Sequence, residues 1–339
     1  MSPAERRLAK GEWVLVTGAN GYIATHVVDV LLEEGYNVRG TVRAAKPWLN
    51  KFFDEKYGAG RFETQTVAAL NEEGAFNEAI KGVGGVVHVA TDTSMNPDPD
   101  AVISGVVAGT INLLEAAAGE SSVKSVVLTS SSTAALIPEP NKEIVIDENT
   151  WNDSVVEAVH TRQAPPEFMP FMVYAASKTE QERAFFKWAK ENKPGFAVNS
   201  VLPDMNIGKV LMPEGSTSTM GWVRGLLRGD GHMIKLTPPQ YFIDVHDDAR
   251  VHVAALLDPT VQNERLFAFA QVFNWTDIIG ILTKLRPDNS QIPKPPVDEG
   301  HDITHVKGRK RAEELIKSFF GVAGWTGLEE SVAAGIEDL

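Results

Sequence analysis

The chain contains no cysteine. Disulfides, thiolate metal sites and cysteine nucleophiles are therefore excluded. It has no run of about 18 or more apolar residues, so no membrane span is expected. Basic residues are in short supply. Lys and Arg number 32 against 45 Asp and Glu, leaving a net charge of −13. Such a chain repels nucleic-acid phosphates and anionic lipid, and neither is expected as a partner, although a local basic pocket for a phosphate stays open. The leader MSPAERRLAKGEW is charged but has no apolar stretch of the kind a secretory signal needs, and its Arg6-Arg7 pair reads as a solvated leader. Without a signal, the sequons at Asn152-Asp153-Ser154 and Asn274-Trp275-Thr276 read as chance matches, and a cytoplasmic protein is the simplest expectation.

What remains is ordinary for a globular enzyme: 339 residues, 43% apolar and 23% charged, with 28 Gly and 19 Pro. That length suits one large α/β unit or two lobes. Apolar runs alternate with helical patterns. Strands are predicted over 12–17, 37–43, 61–67, 84–90, 123–132 and 196–203, and helices over 22–35, 101–119 and 171 to about 191. The fold class is thus α/β, a Rossmann-type doubly wound parallel sheet with a smaller, mostly helical C-terminal lobe. After Pro203 the pattern changes to Gly, Ser, Thr and Pro clusters. YFIDVHDDARVHVAALL (241–257) reads as a strand end and helix that return to the main sheet, and 264–270 as a short strand. The expected division is 1–203 with 241–270 as a dinucleotide domain, and 204–240 with 271–339 as a substrate lobe. KGRKRAEELIKSFFG places Leu315, Ile316, Phe319 and Phe320 on one face and reads as a surface helix packing on the small lobe.

VTGANGYIA carries Gly18, Gly21 and Ala24 directly after a strand and at the start of a helix. Glycine lets the backbone turn tightly and approach a pyrophosphate, which sits on the helix N-terminus. The alternative is a tight turn with no ligand; the strand–turn–helix context favours dinucleotide binding. The second strand ends in GTVRAAK, where a residue would meet the adenosine ribose. An acid there would suit the 2′-hydroxyl of NAD. Arg43, with Lys46 behind it, suits the 2′-phosphate of NADP instead.

The fifth strand ends in LTSSSTAAL, at the strand edge where open α/β sheets bind ligands. Tyr174 and Lys178 stand four apart in FMVYAASKTEQE, on one helical face. Alone they could be an aromatic beside a charge. A tyrosine acid has an ordinary pKa of about 10, and bringing it near 7 takes roughly 4 kcal/mol of preference for phenolate. One ammonium and the charge of an oxidised nicotinamide can supply that.

Together the glycine spacing, the TSS strand end and Y-x-x-x-K resemble the extended short-chain dehydrogenases/reductases. VLVTGANGYIATHVV, NVRGTVR, VVLTSSS, VYAASKTE and NSVLPDMNIG are similar to the dihydroflavonol-reductase-like branch, and within it to the fungal NADPH-dependent aldehyde (carbonyl) reductases. The resemblance covers nearly the whole chain. It implies that Tyr174 donates a proton to a carbonyl oxygen as hydride arrives, that Lys178 holds the nicotinamide ribose and lowers the tyrosine pKa, and that Ser131 hydrogen-bonds the substrate oxygen, with Ser132 an alternative one residue on. It further implies that NADPH lies against Thr17, Gly18, Asn20, Gly21, Tyr22, Ile23, Arg43, Lys46, Ala90, Thr91, Thr129, Tyr174, Lys178, Pro203, Ile207 and Ser216. The substrate pocket would be lined by Met95, Ser131, Phe171, Tyr174, Ser216, Trp222, Thr237 and Gln240. Beyond Ser131 and Tyr174 that lining is mostly apolar with a few hydroxyls and one amide, which favours an apolar or aromatic ketone or ester over a charged sugar nucleotide.

The chain departs from the family pattern in two places. Ala68 and Ala69 stand where many members carry an acid near the adenine, and Val106 stands where many carry an asparagine, which removes a proton relay through that side chain. His301 and His305 lie in EGHDITHVKG, a surface loop rather than a metal site, and no metal is expected. Asp247 and Asp248 are adjacent and so do not face each other; they mark a helix start. Two rivals stay open: an NAD-dependent nucleotide-sugar epimerase or dehydratase of the same fold, and a non-enzymatic NADP sensor, which would have no use for Tyr174 and Lys178. The expected partner is a small carbonyl compound, and the expected state a monomer or homodimer.

Overall fold

The computed structural model describes residues 5–339; residues 1–4 of the charged leader lie outside the described residues. The chain runs β1 (Trp13–Val16), α1 (Tyr22–Glu33), β2 (Asn37–Val42), α2 (Pro47–Tyr57), β3 (Phe62–Thr66), β4 (Val83–His88), α3 (Pro99–Gly119), β5 (Ser125–Thr129), β6 (Val145–Ile146), α4 (Asp153–His160), α5 (Met169–Asn192) and β7 (Ala197–Pro203). It continues through β8 (Met205–Ile207), α6 (Ser218–Leu226), β9 (Gln240–Asp244), α7 (Val245–Leu257), β10 (Arg265–Ala268), β11 (Gln271–Phe273), α8 (Trp275–Leu285), β12 (His305–Val306), α9 (Arg309–Phe320) and α10 (Leu328–Gly335).

Seven strands form one sheet in the order β10-β7-β5-β4-β1-β2-β3, and every pair in it is parallel. From β1 the chain steps outward to β3, then crosses to β4 and steps outward on the other side. Ligands bind beyond the strand ends at such a reversal. The period-2 alternation of each strand divides its apolar residues between two faces. Val14, Val16, Val87, Val127 and Val201 pack under α1, α7 and α9. Leu15, Val86, Val126, Leu128 and Val198 pack under α3 and α5. Each such side chain contributes about 1.5–3 kcal/mol by burial, so the sheet is a rigid base for the loops at its end.

A second sheet, β11-β9-β8, carries its own core of Tyr22, Met205, Ile207, Met220, Phe242, Phe273, Trp275 and Ile278 with α6, α8 and α10. Here the structure corrects the reading of 241–257. Helix α7 does cover the main sheet, but β9 pairs with β8 and β11 in the second sheet. The chain leaves the main sheet at Asp204, and β8 then offers β9 a free edge. Helix α9 also departs from expectation: Ala312, Leu315 and Ile316 form an i, i+3, i+4 stripe that packs with α7 and β10 on the main core, not on the second one.

Other differences have local causes. α2 buries only Leu49 and Phe53, too thin a stripe to read as a helix. The short α4 starts on an Asn152 cap. Both sequon asparagines are helix caps: Asn152 accepts from the Val155 N–H, and Asn274 forms a capping box with Asp277. The Arg6-Arg7 pair is docked rather than solvated. Arg7 donates to the carbonyls of Leu256 and Val261, both at 3.0 Å, while Arg6 pairs with Glu34 and lies over the Phe319 ring. Helix α3 is long and apolar enough, by length and composition, to cross a membrane; its Val106, Gly109, Thr110 and Leu113 are buried, and it packs along α5.

Candidate active site

The glycine turn sits at the sheet reversal. Gly18 has φ +67°, the left-handed region that favours glycine, and a Cβ there would meet the Ala90 Cβ at 3.1 Å. Gly21 is the N-cap of α1 and makes no side-chain cap, so the first N–H groups of the helix face the turn. The Thr91 hydroxyl, just past β4, is buried without a hydrogen-bond partner. A tight cradle, an open helix N-terminus and an unsatisfied hydroxyl fit the phosphates and ribose of a dinucleotide. The Ser216 N–H reaches the Asn20 carbonyl at 3.4 Å, so residues 212–216 lie against the turn. Arg43 is exposed directly after β2 and has no ion pair among the described residues. Lys46 lies 6.0 Å from the Trp48 ring.

The three serines at the end of β5 take different partners. Ser130 donates to Glu182 Oε2 at 3.0 Å. Ser132 hydrogen-bonds Asp204. Ser131 accepts from the Thr133 N–H and hydroxyl at 3.2 and 3.0 Å, and it is the serine whose hydroxyl bonds the Tyr174 phenol. Tyr174 is half-buried on α5, and Lys178, one turn on, is 2% exposed. The Lys178 ammonium donates to the Thr129 carbonyl at 2.9 Å and to Gln181 Oε1 at 3.3 Å.

The electrostatics differ from the sequence expectation. Burial raises the Tyr174 pKa, and only Ser131 pulls it back. The charge that was expected to lower it is itself weakened: burial lowers Lys178 to about 7, against a smaller opposing pull from Glu182. Tyr174 therefore keeps its proton at neutral pH, and Lys178 is held near 7.

The other predicted positions differ in what they offer a ligand. Ile207 is fully buried in the second core, with no surface for a ligand. The Tyr22 side chain is buried with its hydroxyl on the Gly208 carbonyl at 2.7 Å, leaving only backbone for a cofactor. Thr129 turns its hydroxyl to His252 Nε2 at 2.8 Å and offers its carbonyl. The Thr237 hydroxyl donates to the Met233 carbonyl at 2.9 Å and accepts from the Trp275 indole at 3.1 Å, so it is taken within the lobe. Met95 is 43% exposed, Ser216 is exposed, and Phe171, Trp222, Ile23 and Gln240 are half-buried. Pro203 closes β7.

Sequence reasoning missed the groups behind the pair. Glu182 is fully buried, and besides Ser130 it accepts from Ser200 at 2.5 Å and from Arg265 twice at 3.0 Å. Arg265 also lies 3.9 Å from the Trp151 ring centroid. The fourfold helical spacing from Tyr174 through Lys178 to Glu182 was the available signal. Asp204 is pushed up to about 8 by burial and by nearby Asp302.

A doubly wound sheet that sets a Tyr–Lys pair and a serine beside a glycine turn defines the short-chain class of dinucleotide enzymes. The profile of the NAD dependent epimerase/dehydratase family matches residues 14–267. The chain belongs to that family, the extended short-chain dehydrogenases/reductases. It is 45% identical over 329 residues to a ketoreductase of Penicillium rubens, covering 96% of both chains. It is 42% identical over 333 residues to aldehyde reductase 2 of Sporidiobolus salmonicolor, covering 96% of this chain and 95% of the other. Among solved structures, yeast methylglyoxal/isovaleraldehyde reductase Gre2 with NADPH has a TM-score of 0.78 at 24% identity, covering 96% of this chain and 97% of that one, and shares the fold.

Proposed function

We propose that the protein is an NADPH-dependent reductase of aldehydes and ketones, keto esters included. The observation that carries this is Tyr174 set near Ser131, whose hydroxyl pulls its pKa down, one helical turn before the buried Lys178. The relatives named ketoreductase and aldehyde reductase support it. Thr17, Gly18, Asn20, Gly21 and Thr91 would hold the dinucleotide phosphates and ribose, Arg43 and Lys46 the 2′-phosphate, and the bound cofactor supplies the hydride.

The chain's own part is acid catalysis and orientation. Ser131 donates a hydrogen bond to the substrate oxygen and fixes it against the phenol. Tyr174, kept protonated by burial, delivers its proton to that oxygen as negative charge develops there. The Lys178 ammonium stabilises the phenolate left behind. Residues 204–240 and 271–306 form the substrate side, with Phe171 and Trp222 as apolar walls, while α9 belongs with the main core. The enzyme works in the cytoplasm as a monomer or homodimer.

Consumption of NADPH with an aryl ketone, an aldehyde and an aryl keto ester tests this reading. Turnover should follow NADPH, and Arg43→Ala should weaken NADPH binding about 10- to 100-fold, the factor of a charge-assisted bond, with NADH binding unchanged. An enzyme idle with every free carbonyl overturns the proposal.

A further inference from the structure

The Lys178 ammonium has three N–H donors. Two are engaged by protein, one on the Thr129 carbonyl and one on Gln181. Glu182 attracts Lys178 through space, but its own oxygens are filled by Ser130, Ser200 and Arg265. Among the described residues, Gln181 is the one side chain that accepts from Lys178.

Gln181 is itself held from behind. Its Nε2 donates to the Thr110 hydroxyl at 2.8 Å, Thr110 lies 3.4 Å from His88 Nε2, and His88 Nδ1 lies 2.9 Å from the Thr17 hydroxyl. The direction of each bond follows from counting protons. The Thr17 oxygen accepts the Val89 and Ala90 N–H groups at 3.0 and 2.9 Å, so its own proton goes to His88 Nδ1. His88 then carries its proton on Nε2 and presents it to Thr110. Thr110 gives its proton to the Val106 carbonyl at 3.1 Å, so towards Gln181 and His88 it can only accept. Gln181 must therefore turn its amide nitrogen to Thr110 and its oxygen to Lys178. Burial and the Lys178 charge hold His88 down at about 3, so it stays neutral and keeps the accepting nitrogen that Thr17 needs. A chain polarised this way holds position; it does not conduct protons, because the Thr110 proton is fixed on Val106 and an amide does not relay.

We propose that Gln181 is a positioning residue: its oxygen holds the Lys178 ammonium in place, and its nitrogen ties that position, through Thr110 and His88, to Thr17 at the entry of the glycine turn. The lysine and the cofactor turn are thereby set by one buried network. It runs beside Val106, where the side-chain relay of the family is absent. This inference rests on the Tyr174–Lys178 reading above.

The charged and titratable groups around Lys178 are Tyr174 and Glu182 on its own helix, His88 on β4, His252 of α7 behind Thr129, and Arg265 of β10 through Glu182. The test compares Gln181→Met, Gln181→Glu, Thr110→Val and Lys178→Met in the full chain, reading kcat and KM against pH with NADPH and an aryl ketone, and thermal melting. Gln181→Met should lower kcat about 10- to 100-fold, as for loss of a bond to a charged group, with ketone KM nearly unchanged. Its alkaline limb should move to lower pH, because an ammonium with one acceptor fewer gives up its proton sooner. Gln181→Glu keeps an acceptor for Lys178 but cannot donate to Thr110, so it should move the limb to higher pH while recovering only part of kcat. Thr110→Val should act like Gln181→Met but less strongly, and it serves as the readout if Gln181→Met does not fold. An alkaline limb that stays put in the folded Gln181 and Thr110 variants, while Lys178→Met loses most of kcat, overturns the positioning role alone. A folded Lys178→Met variant that keeps kcat near that of the unaltered enzyme overturns the lysine reading beneath it.

Discussion

The two sides of the candidate site are built differently. On the acid side, at the ends of β4 and β5 and along α5, almost every polar atom has a buried partner: Ser130 on Glu182, Ser131 on Tyr174, Lys178 on Thr129 and Gln181. On the proposed substrate side, the loop residues Met95 and Ser216 are exposed, Trp222 of α6 is half-buried, and Thr237 is turned into its own lobe. Rigid elements hold reacting groups to a fraction of an ångström, whereas loops can change their lining without disturbing the sheet. The chemistry and the choice of substrate are therefore separable here, and substitutions should show it.

The largest effect belongs to the acid. Tyr174→Phe should cut kcat by about 10²–10⁴-fold, the usual worth of a positioned general acid. NADPH affinity, followed by fluorescence titration, should stay the same. A variant that still turns over at the wild-type rate removes Tyr174 from the mechanism and leaves the acid side as ordinary packing.

Next comes the support behind the pair. Glu182→Gln leaves the Arg265 guanidinium buried with a neutral partner, which costs about 3–5 kcal/mol, and should lower Tm by about 4–7 °C. Activity per folded molecule should fall far less than in Tyr174→Phe. If kcat collapses in the folded fraction while Tm holds, Glu182 belongs to the chemistry and the division of labour drawn above fails.

Much of this was legible before any coordinates. Gly18 and Gly21 between a strand and a helix, and Tyr174 four residues before Lys178, are local patterns whose geometry follows from helix and turn periodicity. The main-sheet strands, read to within a few residues, owe that to unbroken apolar runs. What escaped reading depended on long-range pairing. No local pattern tells that β9 leaves the main sheet for β8, that α9 docks on α7, or that Asp204 meets Ser132 and Asp302. The direction of the Tyr174 shift in the chain by itself escaped for the same reason: the charge of Lys178 was visible in the sequence, but the burial that weakens it was not.

The two sides should also titrate in opposite senses. Asp204, beyond β7, rises from 3.8 to about 8 on folding. The native state holds a proton there that the unfolded chain releases, so this contribution is complete below pH 4 and is lost as pH climbs towards 8. Lys178 falls from 10.5 to about 7. The unfolded chain holds that proton longer, so stability from this group grows as pH rises from about 7 to 10.5. Chemical denaturation across pH should show the first slope flattened in Asp204→Asn and the second in Lys178→Met. Slopes unchanged in both variants would mean that neither group is as buried in solution as in the structure.

The smallest effect tests the substrate side. Thr237→Val removes a hydroxyl that bonds Met233 and Trp275, but the indole keeps the Thr237 carbonyl at 3.2 Å as an acceptor. The loss should be about 1 kcal/mol of stability, with ketone KM moving by less than about twofold, since a factor of two is only ~0.4 kcal/mol. The opposite pattern, an intact Tm with a raised KM, would place the hydroxyl on the substrate. The substrate side would then hold a polar contact as fixed as those around Lys178, and the contrast between the two sides would narrow to the exposed positions Met95 and Ser216.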